Sequence, residues 1–280
     1  MSTTTTKAPA TKPAAKKKSE GFKGIKNAFV VMVICVALAI VIFLTVFGNA
    51  NNFAGGNVGS SPINILGTIY MGGFVVPLIH GMFLIVVAIT IERWLALRTA
   101  FGKVSLEKFT DKVRKAMNKN DIPAALKACD EQQGSVANVV RATLERYQVE
   151  EADTTRTKAQ KLESIKTALD DATALEMPTL QMNLPILGVL TSLGVLTGLF
   201  GTVLGMIKSF SSIGGDGGSG DSAGLSAGIS EALVNTASGI GTSAFALVFY
   251  NYYTNKIDKL TYSLDEVGFI ITQNYALNHQ

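Results

Sequence analysis

No charged residue interrupts the chain between Asn27 and Ile91, and that gap constrains the fold more than any other feature. It holds two apolar runs, 28–47 and 69–91, parted by a Gly/Asn/Ser-rich stretch. At ~1.5 Å rise per residue, about 20 helical residues cross the ~30 Å hydrocarbon layer, and both runs are long enough. A third run covers 184–207, and a fourth lies between Ser222 and Asn255, where Glu231 is the only charge. Of 280 residues, 48% are hydrophobic and 16% charged, too apolar and too segregated for a soluble domain. The expected fold is an all-α polytopic membrane protein with four spans and long helices extending into a helical cytoplasmic domain.

Lysine and arginine placement predicts the orientation. Of 25 basic residues, 7 precede residue 27, 15 lie from Arg93 to Lys166, and Lys256 and Lys259 follow the last span. Only Lys208 lies near the opposite surface. Both termini are therefore expected on the cytoplasmic side, with the loops 48–68 and 214–222 facing outward, to the periplasm in a Gram-negative bacterium. Residues 1–27 read as a disordered basic tail able to touch anionic lipid headgroups, because they lack apolar periodicity. Gly48, Asn49 and Ala50 resemble a signal-peptide cleavage site, but the apolar core exceeds ~7–15 residues and the leader is long, which favours a retained span. Cys35 in that span and Cys129 on the cytoplasmic side read as packing residues, not a disulfide.

The predicted division gives a span at 69–97, a cytoplasmic helical domain at 98–183, a pair of spans at 184–255 and a cytoplasmic tail at 256–280. Within the domain, Ser105 can cap a helix carrying Leu106, Phe109, Val113 and Met117, Asp121 can cap the next before Pro123, and Ser135 a third. The segment 159–176 lacks a clear breaker before Pro178 and Pro185, so it is expected to enter the third span as one rod with a local bend.

Thr191, Gly198, Thr202, Gly205 and Ser209 form one small, hydroxylated stripe at helical spacing, which close helix packing alone would explain. In the fourth run, Glu231, Asn235, Ser238 and Thr242 align on one side, and Ala232, Thr236, Gly239 and Ser243 on another. Glu231 and Thr236 differ by about 140°, so an ideal helix cannot aim both down one narrow lumen. A carboxylate at the bilayer centre costs roughly 2.5–3.5 kcal/mol even on lenient scales, so it needs a pore, a partner or a proton. With no Lys or Arg expected inside the membrane, burial favours its neutral form for part of a cycle, which suits proton transfer. A structural alternative is a hydrogen-bonded acid that locks subunits together.

Two motifs, Gly198-Leu-Phe-Gly-Thr202-Val-Leu-Gly-Met206 and Gly228-Ile-Ser-Glu231-Ala-Leu-Val-Asn-Thr236, resemble those of the MotA/TolQ/ExbB proton channel family, the ExbB branch most closely. The Ile-Glu-Arg93-Trp-Leu-Ala-Leu-Arg98 exit of the second span, the Asn120-Asp-Ile-Pro-Ala-Ala-Leu-Lys-Ala-Cys129 turn and the Tyr250-Asn-Tyr-Tyr253 ending add to a likeness over roughly residues 65 to 260. The resemblance implies a homopentamer around the single spans of an ExbD-like dimer, whose membrane aspartate moves protons down the proton motive force. In the ExbB branch this energises a TonB-like protein for outer-membrane transport. By motif position, Thr202 and Thr236 would be lumen hydroxyls and Glu231 the intramembrane acid. Thr191, Thr197, Asn235, Ser238 and Thr242 would form a secondary polar line.

Two departures from the family pattern stand out: the extra span 28–47, and Gly194-Val195 where Ala-Pro is common, with Thr197 in place of a usual leucine. His80 could titrate, but a lone membrane histidine more often packs through a hydrogen bond. Enzyme readings find no phosphate loop, zinc spacing or activated nucleophile, and no cofactor, metal or nucleic acid is expected. A TolQ-like or motility stator subunit, a passive scaffold and a substrate transporter are the alternatives. The absence of an inverted repeat of broken helices disfavours the transporter.

Overall fold

The computed structural model describes residues 24–25, 27–213 and 221–278. The expected basic tail, apart from its last residues, and positions 214–220 of the glycine-rich turn lie outside them. Among the described residues the chain is all helix, with a single isolated bridge between Phe53 and Pro62. In order it runs α1 (Ala28–Ile42), α2 (Ile65–Tyr70), α3 (Val75–Ala100), α4 (Leu106–Met117), α5 (Ile122–Gln132), α6 (Gly134–Ala152), α7 (Lys158–Gln181), α8 (Leu184–Ile213) and α9 (Ser222–Asn278). Four helices are long and apolar enough to cross a membrane: α1 with its continuation to Phe47, α3, α8 and α9.

The second span starts later than the apolar run predicts, at Val75 instead of 69. Gly73 adopts φ 74, a left-handed conformation that only glycine enters without strain, and it ends the short α2 before α3 begins. The extra span α1 lies along α3, with Val36 against Gly81, Phe43 stacked on Tyr70 and Phe47 edge-on to His80. His80 bonds through Nδ1 to the Val76 carbonyl, 3.0 Å away on its own helix.

Helix caps in the α4–α7 domain differ in detail from expectation. Asp121 caps α5 by accepting from Ala124 N at 2.9 Å, but Ser105 makes no side-chain cap bond, and the residue ahead of α6 is Gln133 (φ 57), which leaves Ser135 buried in the first turn. The expected bend ahead of the third span falls between Pro178 and Pro185: α7 stays helical to Gln181, and Asn183 turns the chain at φ 63. That turn strands the carbonyls of Thr179 and Leu180, and Arg93 supplies the missing donors, each 3.3 Å away. Arg93 is fully buried and pairs with neighbouring Glu92. Glu92 also accepts from Ile25 N at 3.0 Å, while Asn183 Nδ2 donates to the Ile25 carbonyl at 3.1 Å.

The predicted tail at 256–280 is not a separate element, because α9 continues unbroken for 57 residues, about 85 Å at helical rise. Its far half carries Leu260, Leu264, Val267, Ile271 and Tyr275 at helical spacing into one core with Phe109, Val113, Val140, Leu144, Tyr147 and Ile165. One helix therefore couples the membrane spans rigidly to the α4–α7 domain.

Candidate functional site

Helices α8 and α9 form an antiparallel hairpin whose seam is built from residues without bulk. A side chain added at Gly194 would meet Ser243 and the Gly239 backbone, and one at Gly205 would meet Ala232 and the Gly228 carbonyl. A methyl at Gly239 would run into the backbones of Gly194 and Gly198. Gly198, Gly205 and Ser209 of the first predicted stripe are thus buried in this seam, together with Ala232, Gly239 and Ser243 from α9. Close packing accounts for these positions without appeal to a pore.

Two residues of the stripes have a different setting. The hydroxyls of Thr202 and Thr236 hydrogen-bond to each other at one edge of the seam. The carbonyl of Gly198 lies 3.2 Å from the first and 3.5 Å from the second. A hydroxyl carries one hydrogen and two lone pairs, so either threonine can donate to Gly198 while accepting from the other. The donor direction can reverse without moving a heavy atom. Both threonines are half-buried and are flanked by exposed Val195, Leu199, Leu233 and Ile240, so this edge of the hairpin is left open by the chain itself.

The opposite edge is covered by the α2–α3 turn. Asn235, fully buried, donates from Nδ2 to the Gly72 carbonyl at 2.9 Å, and its Oδ1 has no partner among the described atoms. Glu231 is buried against Gly73, where any β-carbon would strike its carboxylate. The expectation that this acid lacks a counter-ion is corrected by the structure: Lys208 Nζ lies 2.7 Å from Glu231 Oε2. Lys208 sits five residues before the end of α8 and Glu231 nine residues after the start of α9, so the antiparallel pairing brings them level. Neither charge shows its partner by local spacing. The predicted divergence of Glu231 and Thr236 thus has a concrete form, the threonine facing α8 at the open edge and the acid facing the α2–α3 turn and Lys208.

The remaining polar-line residues do not join the threonine pair. Thr191 donates to Gly188 O at 2.6 Å, Thr197 to Leu193 O at 2.8 Å and Thr242 to Ser238 O at 2.9 Å, all bonds back into their own helices. Helical hydroxyls are commonly satisfied in this way. The Thr191 carbonyl in turn accepts from Ser243 across the seam. Sequence reasoning missed Lys208 as a site residue, the Gly72–Gly73 cradle and the Arg93 node. Its isolation in the third span was the available signal for Lys208. Among the described residues no group of His, Cys, Asp and Glu is arranged to hold a metal ion.

A sequence model of the MotA/TolQ/ExbB proton channel family matches residues 131–266, a segment that contains the whole hairpin and the far half of α9 up to Glu266. Over that segment, just under half of its length, the chain is similar to that family. It is 37% identical over 87 residues to the biopolymer transport protein ExbB-like 3 of Synechocystis sp., a match covering 31% of this chain and 41% of that protein. The ExbB-like 1 protein of the same organism is 33% identical over 90 residues, covering 31% and 35%. The chain therefore aligns with less than half the length of either relative.

Proposed function

We propose that this chain is an ExbB-like subunit of a proton channel in a bacterial inner membrane, which converts proton motive force into mechanical work. In this reading, α8 and α9 from a pentamer of the chain enclose a dimer of an ExbD-like protein, each with one span carrying an aspartate. The assembly energises a TonB-like protein for outer-membrane transport, with the N- and C-terminal regions in the cytoplasm. The observation that carries the proposal is the Thr202–Thr236 hydroxyl pair on the uncovered edge of the family-matched hairpin.

Two properties suit that pair to face a partner carboxylate. It can donate to the ionised form and accept from the neutral form, and it fixes no charge of its own. The exposed apolar residues around it would exclude water once a partner span covers them, which strengthens each hydrogen bond made there. Likeness to a proton channel family supports ion movement over catalysis. The continuous α9 supplies a stiff link between the spans and the water-facing domain, as a device transmitting force requires.

The decisive experiment is proton uptake by vesicles containing this chain and its single-span partner. Uptake that depends on both proteins and falls in Thr202→Val and Thr236→Val chains that still assemble is expected. Assembly with undiminished uptake in both variants would leave the hydroxyls as packing groups and favour a scaffold that does not conduct.

A further inference from the structure

The α8–α9 seam is smooth. Gly194, Gly198 and Gly205 face Gly228, Ala232 and Gly239, and Gly201 faces the Asn235 side chain, which allows close approach but offers few bulky side chains to stop one helix sliding along the other. The serine bonds across it, from Ser209 to the Leu225 carbonyl and from Ser243 to the Thr191 carbonyl, end on backbone acceptors that recur along a helix. Slipped by one turn, about 5.4 Å, either serine would find another carbonyl. Thr202 and Thr236 would not find each other.

One contact has no substitute in a slipped register. Lys208 is the only charge on α8, and Glu231 is the only charge on α9 from Ser222 to Asn255. Their 2.7 Å ion pair lies roughly 8 Å along the seam from the threonines, on its other edge. Glu231 is also held by the α2–α3 turn, because it fills the space that Gly73 leaves, and one turn further on Asn235 grips the Gly72 carbonyl. Among the described residues Lys208 is the ionisable group paired with the acid; the turn meets it at Gly73, and His80 of α3 points to Phe47 of α1. A slip would leave a buried acid unpaired, a cost that glycine packing alone cannot impose.

We propose that Lys208 and Glu231 are a positioning pair whose ion pair sets the register of α8 against α9 and so keeps Thr202 and Thr236 level. Fixing register is the best-attested use of an isolated polar group in an apolar interface, here the buried Glu231 held by the largely exposed Lys208. Glu231 then serves the channel through geometry and stands off the threonine line. This rests on the channel reading for its consequence, but not for its geometry.

The test is disulfide formation between Thr202→Cys and Thr236→Cys in the full-length chain, in native membranes with its partner, on a Cys35→Ala/Cys129→Ala background. Lys208→Gln is expected to slow crosslinking about tenfold, with Lys208→Arg and the exchange Lys208→Glu/Glu231→Lys returning it to within about twofold. Rescue by a like-charged or exchanged pair is something a merely space-filling role would not give. Where the exchanged chain fails to insert, Lys208→Arg decides. A Lys208→Gln rate within about twofold of the parent, or Lys208→Arg no better than Lys208→Gln, overturns the proposal. Because crosslinking is read without proton movement, crosslinking as expected together with no uptake by the chain that keeps both threonines would sink the channel reading alone.

Discussion

Thr202 and Thr236 share a hydrogen bond across the hairpin and compete for one carbonyl, that of Gly198. Valine keeps the shape of threonine and removes the hydroxyl, so either Thr→Val change should cost about 1 kcal/mol of stability, the net worth of one such bond. Proton uptake should fall at least about tenfold in each, and the double variant should lose little more, because the two groups act as a unit. Thr202→Ser should retain uptake. Vesicle flux and thermal midpoints of the purified assembly, measured on the same four chains, separate the two effects.

Neighbouring glycines of α9 should respond in opposite ways to the same change. A methyl at Gly239 would meet the Gly198 Cα at 2.8 Å with the Gly194 carbonyl still closer, and helix backbone cannot yield as a side-chain tip can. Gly239→Ala should destabilise by about 2 kcal/mol or more through forced separation of the helices. Gly241 has nothing within 4 Å of the same added atom in the single chain. Gly241→Ala should be neutral or stabilising by up to about 1 kcal/mol, since alanine is the better helix former. If Gly241→Ala instead abolished oligomers on native gels while the chain stayed folded, that face would be packed against a second copy.

The four spans were legible because length and freedom from charge suffice to mark them, and the threonine motifs because two short patterns in adjacent helices are specific. What stayed hidden was long-range. Lys208 looked like a surface charge since nothing local reveals which residue an antiparallel partner will bring opposite, and the Glu231 counter-ion was missed with it. The start of α3 was misplaced by six residues because hydropathy does not register a backbone turn made by two glycines within an apolar run. The bend ahead of α8 was expected, but its place between Pro178 and Pro185 was not. The actual break at Asn183 depends on Arg93, distant in sequence, accepting the role of cap.

Arg93 should be among the least replaceable residues outside the hairpin. It is fully buried, pairs with Glu92 and covers two carbonyls at the end of α7, so Arg93→Ala would strand one buried acid and two acceptors at once. A loss of about 3–5 kcal/mol is expected. Arg93→Lys should recover little, because a single ammonium cannot span the Glu92 carboxylate and both carbonyls in the way a planar guanidinium does. Limited proteolysis should show new cleavage near Met182–Asn183 in both variants, and protection there in Arg93→Ala would contradict the capping role.

The packed end of the α4–α7 domain predicts how the chain meets alkali. Burial pushes the Tyr147 phenol up to about 12, and that of Tyr275, edge-on to it, in the same direction. Burial likewise raises the Cys129 thiol to about 12. For groups raised in the folded state the stabilising difference is complete below their unfolded values, near 10.0 for tyrosine and 9.0 for the thiol, and is lost as pH rises through the folded ones. The contact between α6 and the end of α9 should therefore hold at neutral pH and loosen between pH 10 and 12. Tyrosinate absorbance should show Tyr147 titrating with that loosening, and Tyr147→Phe should cost about 1 kcal/mol at neutral pH by removing the 3.0 Å bond to Asn274 Oδ1. Over the same range Cys129 should resist a maleimide in the folded chain and react once the domain opens. Rapid labelling of Cys129 at pH 7 would mean that this core is open in solution.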